Sequence, residues 1–166
     1  LIADVVADTV AFEWSRTAVD PALLALLADP QWQPFLVFPG EFAPPERVVN
    51  TVPPLAGKRP LFVLLDGTWA EARKMFRKSP YLDRLPVLSL HPDQISSYRL
   101  RRSTRDDHFC TSEVAALCFD LAQEPQVAEV LATYLDVFTS HYLLAKQQQP
   151  IQPDDAAHQR LRDLGL

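Results

Sequence analysis

The stretch LFVLLDGTWAEARKMF, residues 61–76, points to the fold class. Its first five residues are continuously apolar and lie between Pro60 and Asp66, the length and pattern of a strand covered on both faces. Asp66 is left at the strand's tip, Gly67 allows a turn, and Thr68 offers a hydroxyl to cap a helix. Trp69, Ala72, Met75 and Phe76 then recur at helical spacing, with basic residues on the opposite side. A strand that runs straight into an amphipathic helix is half of a β-α-β unit, so the expected class is α/β.

On either side the same alternation continues. The apolar runs FLVF (35–38) and PVLSL (86–90) read as further strands, and TVAFEW (9–14) has strand composition. Asp20-Pro21 opens a short helix over ALLALLAD and Asp29-Pro30 closes it. Downstream, residues 111–123 keep helical rhythm, with Thr111 as the expected cap and Glu113 in the first turn, until Glu124-Pro125 breaks the pattern. A longer helix to about residue 146 comes next, its expected buried stripe being Val127, Val130, Leu131, Tyr134, Phe138 and Tyr142. The segment QQQPIQPDD reads as a linker to a last helix over 156–164. The organisation expected is an open, mainly parallel sheet flanked by helices over residues 1–146, with a linker and C-terminal helix over 147–166.

Composition narrows the function classes. The chain has 166 residues, 48% hydrophobic and 22% charged, enough to bury a core, which excludes disordered and collagen-like readings. No apolar run reaches the length of a membrane helix and no secretory leader is legible, so no membrane partner is expected. Cys110 and Cys118 are too few to staple a domain and read as free thiols of a reducing, cytoplasmic compartment. The formal charge of −5 argues against an extended nucleic-acid surface, DNA included. The average hides a bias: nine of the 16 basic residues, Arg73, Lys74, Arg77, Lys78, Arg84, Arg99, Arg101, Arg102 and Arg105, fall between positions 73 and 105, against Asp83 and Asp93 as acids. Position 1 is Leu rather than Met, so a preceding segment is expected.

Only four glycines occur, and two come directly after expected strands, in FPG (38–40) and DG (66–67). In open α/β sheets ligands sit beyond the carboxyl ends of the strands, so these two loops are the first candidates for a site. Asp66 and Thr68 also read simply as turn and cap residues. The phosphatase signature DxDGT fails for want of its nucleophile, since Leu64 stands where the first aspartate belongs. In SSYRLRRSTRDDHFCTSEVAAL, a polar arginine-rich loop leads into a capped helix; it is either a solvated basic loop or one that presents arginines to phosphates. His108, Cys110 and Cys118 lack the paired spacing of a metal site, and no metal is expected within the chain.

Together, FPGE (38–41), LDGTW (65–69) with ARKM (72–75), YRLR (98–101) and CTSEVA (110–115) resemble the motifs of the DTW-domain proteins, over essentially residues 1–145. The resemblance implies a transferase that takes the 3-amino-3-carboxypropyl group of S-adenosylmethionine to N3 of a uridine in tRNA and releases 5′-methylthioadenosine. It also implies a fold similar to the SPOUT methyltransferases, with a knotted cofactor-binding region. Related full-length proteins carry an upstream cysteine cluster resembling a zinc site, which these residues do not include. Val114 and Cys110 depart from the commoner alanine and serine.

On that reading each motif acquires a role. A sulfonium activates all three attached carbons, so the group transferred depends on which carbon lies in line with the nucleophile. The uridine N3–H is a weakly acidic imide, and a carboxylate that takes its proton eases attack. Asp66 is the candidate base, or else holds the donor's amino group. Phe38, Pro39, Gly40, Glu41, Gly67, Thr68, Trp69, Tyr98, Arg99, Leu100, Thr111 and Glu113 are the candidate donor-binding residues. Trp69 reads equally as a core aromatic, and Glu113 equally as a helix cap. Arg73, Lys74, Arg77, Lys78, Arg101 and Arg102, with Arg99, are candidate tRNA phosphate contacts, or a solvated basic face. A SPOUT-type RNA methyltransferase and a noncatalytic RNA-binding module remain as alternatives, and the oligomeric state is not legible.

Overall fold

The computed structural model describes residues 1–91, 110–151 and 153–165. The chain divides into two compact units, one formed by Ala11–Asp106 and the other by Leu1–Val10 with Asp107–Leu166.

The first unit is an α/β sheet. Its elements in chain order are α2 (Pro21–Ala28), β1 (Trp32–Val37), β2 (Val48–Val49), β3 (Arg59–Val63), α3 (Trp69–Lys78) and β4 (Val87–Leu88); α1 precedes them in the other unit. The strands pair only in parallel, in the order β2-β4-β1-β3, with Leu36 opposite both Val63 and Val87. Two short 3-10 turns, Gly40–Phe42 and Pro45–Arg47, lie between β1 and β2, and α3 lies between β3 and β4. The helix starts obey local chemistry. Asp20 Oδ1 accepts from the Ala22 N–H at 2.8 Å with Pro21 at the first helical position. Thr68 and Glu71 form a reciprocal capping box at the start of α3.

The core of this unit gathers Leu36, Phe38, Ala72, Leu82, Leu85 and Val87, with Leu27, Phe42, Val63, Leu65 and Phe76 packed around them. Parallel strands buried on both faces are expected to be near-continuously apolar, and β1 is, its last four residues being fully buried. The run 61–65 departs from its expectation. β3 stands at the end of the described strand order rather than inside it, and its apolar residues are only half-buried. Arg47 ties the loop before β4 by donating to the Leu85 and Leu82 carbonyls at 3.1 and 3.0 Å.

The second unit is helical. It holds α1 (Ile2–Val5), α4 (Thr111–Leu121), α5 (Pro125–Lys146) and α6 (Ala156–Asp163). α4 and α5 pack on each other, and each buries small residues, Ala115 and Ala116 on one and Ala128 and Ala132 on the other. Between them Gln123 takes a left-handed conformation, φ 63°, while the Glu124 N–H reaches the Phe119 carbonyl at 2.9 Å, closing α4 in a Schellman motif.

Two expectations are corrected by the fold. No strand forms over residues 9–14 among the described residues, although the composition suits one; β propensity acts only where a neighbouring strand is available to pair, and this stretch instead joins the two units. The buried stripe of α5 is rotated from the expected one. Leu131 is buried, but its companions are Ala128, Ala132, Thr133 and Val137, while Phe138 and Tyr142 are 48% and 59% exposed. Alanine is inconspicuous in an apolar pattern yet allows close helix packing, which is why the larger residues pointed to the wrong face.

Candidate functional site

The first unit brings the FPGE and DGTW turns together. The ring of Phe38, at the end of β1, stacks on the indole of Trp69, at the start of α3, with centroids 5.6 Å apart and planes 12° from parallel. Phe38 also stacks on Phe76 at 4.5 Å, and Phe42 meets both Phe38 and Trp69 edge-on, at 5.5 and 5.8 Å. Such pairs each contribute about 0.5–1.5 kcal/mol beyond the area they bury, and two of the four, Phe38–Trp69 and Phe42–Trp69, join the two turns directly. Phe38 is buried, whereas Trp69 is 54% exposed. Trp69 is thus contacted by two rings, Phe38 and Phe42, and otherwise open to solvent, so it is not a residue of the buried core.

Gly40 and Gly67 act by crowding rather than by unusual dihedrals, since neither has a positive φ. A Cβ on Gly40 would stand 2.9 Å from Val48 Cγ1 and 3.1 Å from Ser89 Oγ, and the Gly40 N–H donates to that same Ser89 hydroxyl at 2.9 Å. The Ser89 N–H in turn donates to the Val49 carbonyl at 2.9 Å, so the FPGE turn is pinned to the ends of β2 and β4. A Cβ on Gly67 would stand 3.2 Å from the Cβ of Glu71. The turn at Gly67 is therefore tight because the capping glutamate folds back over it.

Asp66 is exposed in the turn that leads from β3 to α3, three residues beyond the strand. Thr68 is occupied as the cap: its N–H and hydroxyl both donate to Glu71 Oε2, at 2.8 and 2.6 Å. Those hydrogen bonds, the side-chain one first, hold the Glu71 carboxyl below its ordinary value. Glu41 is exposed and Pro39 half-buried beside Gly40. Along α3 the basic side chains are exposed as expected, but two are engaged with rings. The Arg73 guanidinium lies 4.9 Å over Phe42, and the Lys74 ammonium 5.6 Å over Trp14. Arg77 and Lys78 occupy the last turn, where cations suit the helix dipole.

Thr111 and Glu113 belong to the helical unit. Cys110, not Thr111, is the N-cap of α4, and Thr111 is its first helical residue. Glu113 is buried and accepts from the Cys110 N–H at 2.9 Å, so it is the capping partner of its helix. Partial desolvation, with the Glu113 carboxylate adding to it, pushes the Cys110 thiol up. Burial pushes the Cys118 thiol up to about 12. Tyr98, Arg99, Leu100, Arg101, Arg102, Arg105 and His108 lie outside the described residues. Among the described residues no three His, Cys, Asp or Glu side chains gather as a metal ion would require, and no helix is long and apolar enough to cross a membrane.

Sequence reasoning missed Phe42 and Ser89. The signal for Ser89 was a lone hydroxyl in the apolar run PVLSL. Phe42 had none, because an aromatic in a proline-rich loop carries no period. The helical unit also holds a shallow groove of about 380 Å³, lined by Val5, Gln126, Val127, Val130, Asp163 and Leu164, which includes no motif residue.

The two motif turns lie beyond the carboxyl ends of parallel strands, which is where α/β sheets as a class bind ligands. Residues 1–143 match the DTW domain, and the chain belongs to that family. It is similar to tRNA-uridine aminocarboxypropyltransferase 2 of Drosophila melanogaster, 30% identical over 113 residues. That alignment takes in 67% of this chain and 43% of the relative, so the chain spans less than half of the relative's length. No solved structure matches the chain.

Proposed function

We propose that this protein transfers the 3-amino-3-carboxypropyl group of S-adenosylmethionine to N3 of a uridine in tRNA. The observation that carries the reading is the joining of the FPGE and DGTW turns through Phe38 and Trp69, in a chain of the DTW family. The name of the Drosophila relative supports the same chemistry. A SPOUT-like knotted arrangement of the sheet and a cytoplasmic setting are parts of the same proposal.

The donor supplies a sulfonium whose γ-carbon is open to attack. A C–N bond forms from the uridine N3 to that carbon, the C–S bond breaks, and its electron pair leaves on sulfur as neutral 5′-methylthioadenosine. The chain's part is to place and to deprotonate. Asp66, at the rim of the turn, accepts the N3 proton, which removes the charge penalty of forming a cationic imide. The exposed side of Trp69 offers the donor a flat apolar wall. Gly40, pinned by Ser89, keeps the backbone of Pro39, Gly40 and Glu41 close, and Gly67 with the Thr68 cap fixes the adjoining turn. Lys74, Arg77 and Lys78 of α3, with Arg101 and Arg102, meet tRNA phosphates.

The test is to incubate the protein with unmodified tRNA and the donor and to identify the thioether released. Methylthioadenosine is the expected product, and Asp66→Asn is expected to lower kcat by about two orders of magnitude or more. Release of S-adenosylhomocysteine would overturn the reading in favour of methyl transfer.

A further inference from the structure

We infer that Arg73 is a positioning residue that fixes the indole of Trp69 through Phe42, rather than one of the phosphate contacts of α3. Arg73 lies four residues after Trp69, one helical turn, so the two side chains rise from the same face of α3. Phe42 stands between them. The guanidinium covers its ring at 4.9 Å, and its ring meets the indole of Trp69 at 5.8 Å and 70°. Phe42 closes the 3-10 turn Gly40–Phe42, whose first residue is held by Ser89 Oγ at 2.9 Å. The ring thus has a backbone anchor on one side, a cation over its face and the indole at its edge. Removing the cation frees the ring to tilt, and Trp69, half out in solvent, loses the edge contact that keeps it from sliding on the Phe38 stack.

Lys74 provides a built-in comparison. It is the next residue along and also lies over a ring, but that ring is Trp14, whose Nε1–H donates to the buried Ser79 hydroxyl at 2.9 Å. Trp69 is the aromatic whose orientation depends on Arg73; Trp14 has its own hydrogen bond.

Fluorine NMR of the protein labelled with 5-fluorotryptophan tests this. It has three tryptophans, and Trp69→Phe identifies the resonance of Trp69. Arg73→Met is expected to shift and broaden that resonance, and Arg73→Lys, which keeps a cation over Phe42, to shift it less. Lys74→Met is expected to move the Trp14 resonance and leave that of Trp69 in place. A Trp69 resonance unchanged in Arg73→Met, or moved as far by Lys74→Met, overturns the inference. The salt dependence of tRNA binding gives a second arm. Loss of a phosphate contact lowers the slope of log K against log salt by about one, so Arg77→Met is expected to do so and Arg73→Met is not. A lowered slope in Arg73→Met with the indole undisturbed returns Arg73 to the phosphate contacts. The catalytic consequence rests on the aminocarboxypropyl transfer proposed for this site: in Arg73→Met the KM for the donor rises about threefold to tenfold while kcat holds within about twofold. A shifted resonance without a change in KM would leave the positioning role standing and remove Trp69 from the donor site.

Discussion

The Nε2 atoms of His141 on α5 and His158 on α6 lie 2.8 Å apart, and the opposite nitrogen of His158 lies 2.8 Å from Asp155 Oδ1. The carboxylate assigns the protons: His158 Nδ1–H donates to Asp155, so its Nε2 is the acceptor for His141 Nε2–H. Arg160 also reaches Glu129 across the two helices at 2.6 Å, but that pair is exposed and adds little. His141→Phe removes the donor to His158 Nε2, so the amides of α6 are expected to exchange about fivefold faster, the loss of about one hydrogen bond worth about 1 kcal/mol. Hydrogen exchange at one fixed pH checks it; equal rates in wild type and variant would refute it.

Acid acts on the start of α6 through Asp155. The His158 backbone N–H, at 2.9 Å, and then its ring hold the Asp155 carboxyl below its ordinary value. A depressed carboxyl contributes stability above its unfolded value and loses it as pH falls through the folded one. The capping contribution of Asp155 to α6 is therefore complete at neutral pH and lost in acid. Asp155→Asn, which still accepts from the N–H, is expected to lack this loss in a helix-specific exchange or circular-dichroism titration, and an equal acid loss in the variant would refute it.

Gly40→Ala is expected to destabilise the sheet unit by about 1–3 kcal/mol, the range for overpacking a filled interior. The added methyl would meet Val48 Cγ1 at 2.9 Å and the Ser89 side chain at 3.1 Å, and Ser89 cannot withdraw without giving up its bond to the Gly40 N–H. Urea unfolding measures it. A change below about 0.5 kcal/mol, the usual effect of a neutral surface substitution, would mean the turn moves aside freely.

Much of this was legible because the physics is local. Asp20-Pro21, the Thr68–Glu71 box and the break at Glu124-Pro125 are set by neighbours in sequence, and the structure begins or ends helices at each. β1 was legible because an unbroken apolar run of that length has no stable place outside a sheet. Strand order was not, since β3 is as apolar as β1 and only pairing puts it at the end of the described order. The two-residue strands β2 and β4 are set by their partners, not by propensity. In the candidate site, the motif turns were legible as turns, but the ring contacts joining Phe38, Phe42 and Trp69 are tertiary. For the same reason Arg73 read as a solvated charge.

Thr68→Ala removes the single hydroxyl that both accepts from the Glu71 N–H and donates to its carboxylate. The expected cost is about 1 kcal/mol of stability. Because the Glu71 carboxyl is held below its ordinary value by Thr68, its contribution is complete at neutral pH and is lost as pH falls through that lowered value. Glu71→Gln keeps an acceptor for the Thr68 N–H but cannot titrate. The stability difference between wild type and Glu71→Gln is expected to shrink in acid and to be constant above about pH 5, clear of the ordinary glutamate range. A difference that grows in acid would show that Glu71 is not ionised in the cap.

The two thiols should be told apart by reactivity. Cys110 is exposed at the start of α4, whereas Cys118, in the middle of the same helix, is fully buried among apolar residues and its thiol is pushed up to about 12. Only the thiolate attacks a disulfide reagent, so Cys118 is protected twice, by access and by protonation. The native protein is expected to release one equivalent of thionitrobenzoate per chain at mild alkaline pH and a second only in denaturant. Cys110→Ser should remove the first equivalent. Because desolvation and the nearby Glu113 also raise the Cys110 thiol, even the accessible cysteine should react more slowly than a free thiol of the same concentration. Glu113→Gln takes away the carboxylate's share of that shift while leaving an oxygen to accept from the Cys110 N–H, so it should speed the first equivalent without exposing the second. Two equivalents released together from the folded protein would mean that α4 does not stay packed on α5, and the assignment of Cys118 to the core would fall.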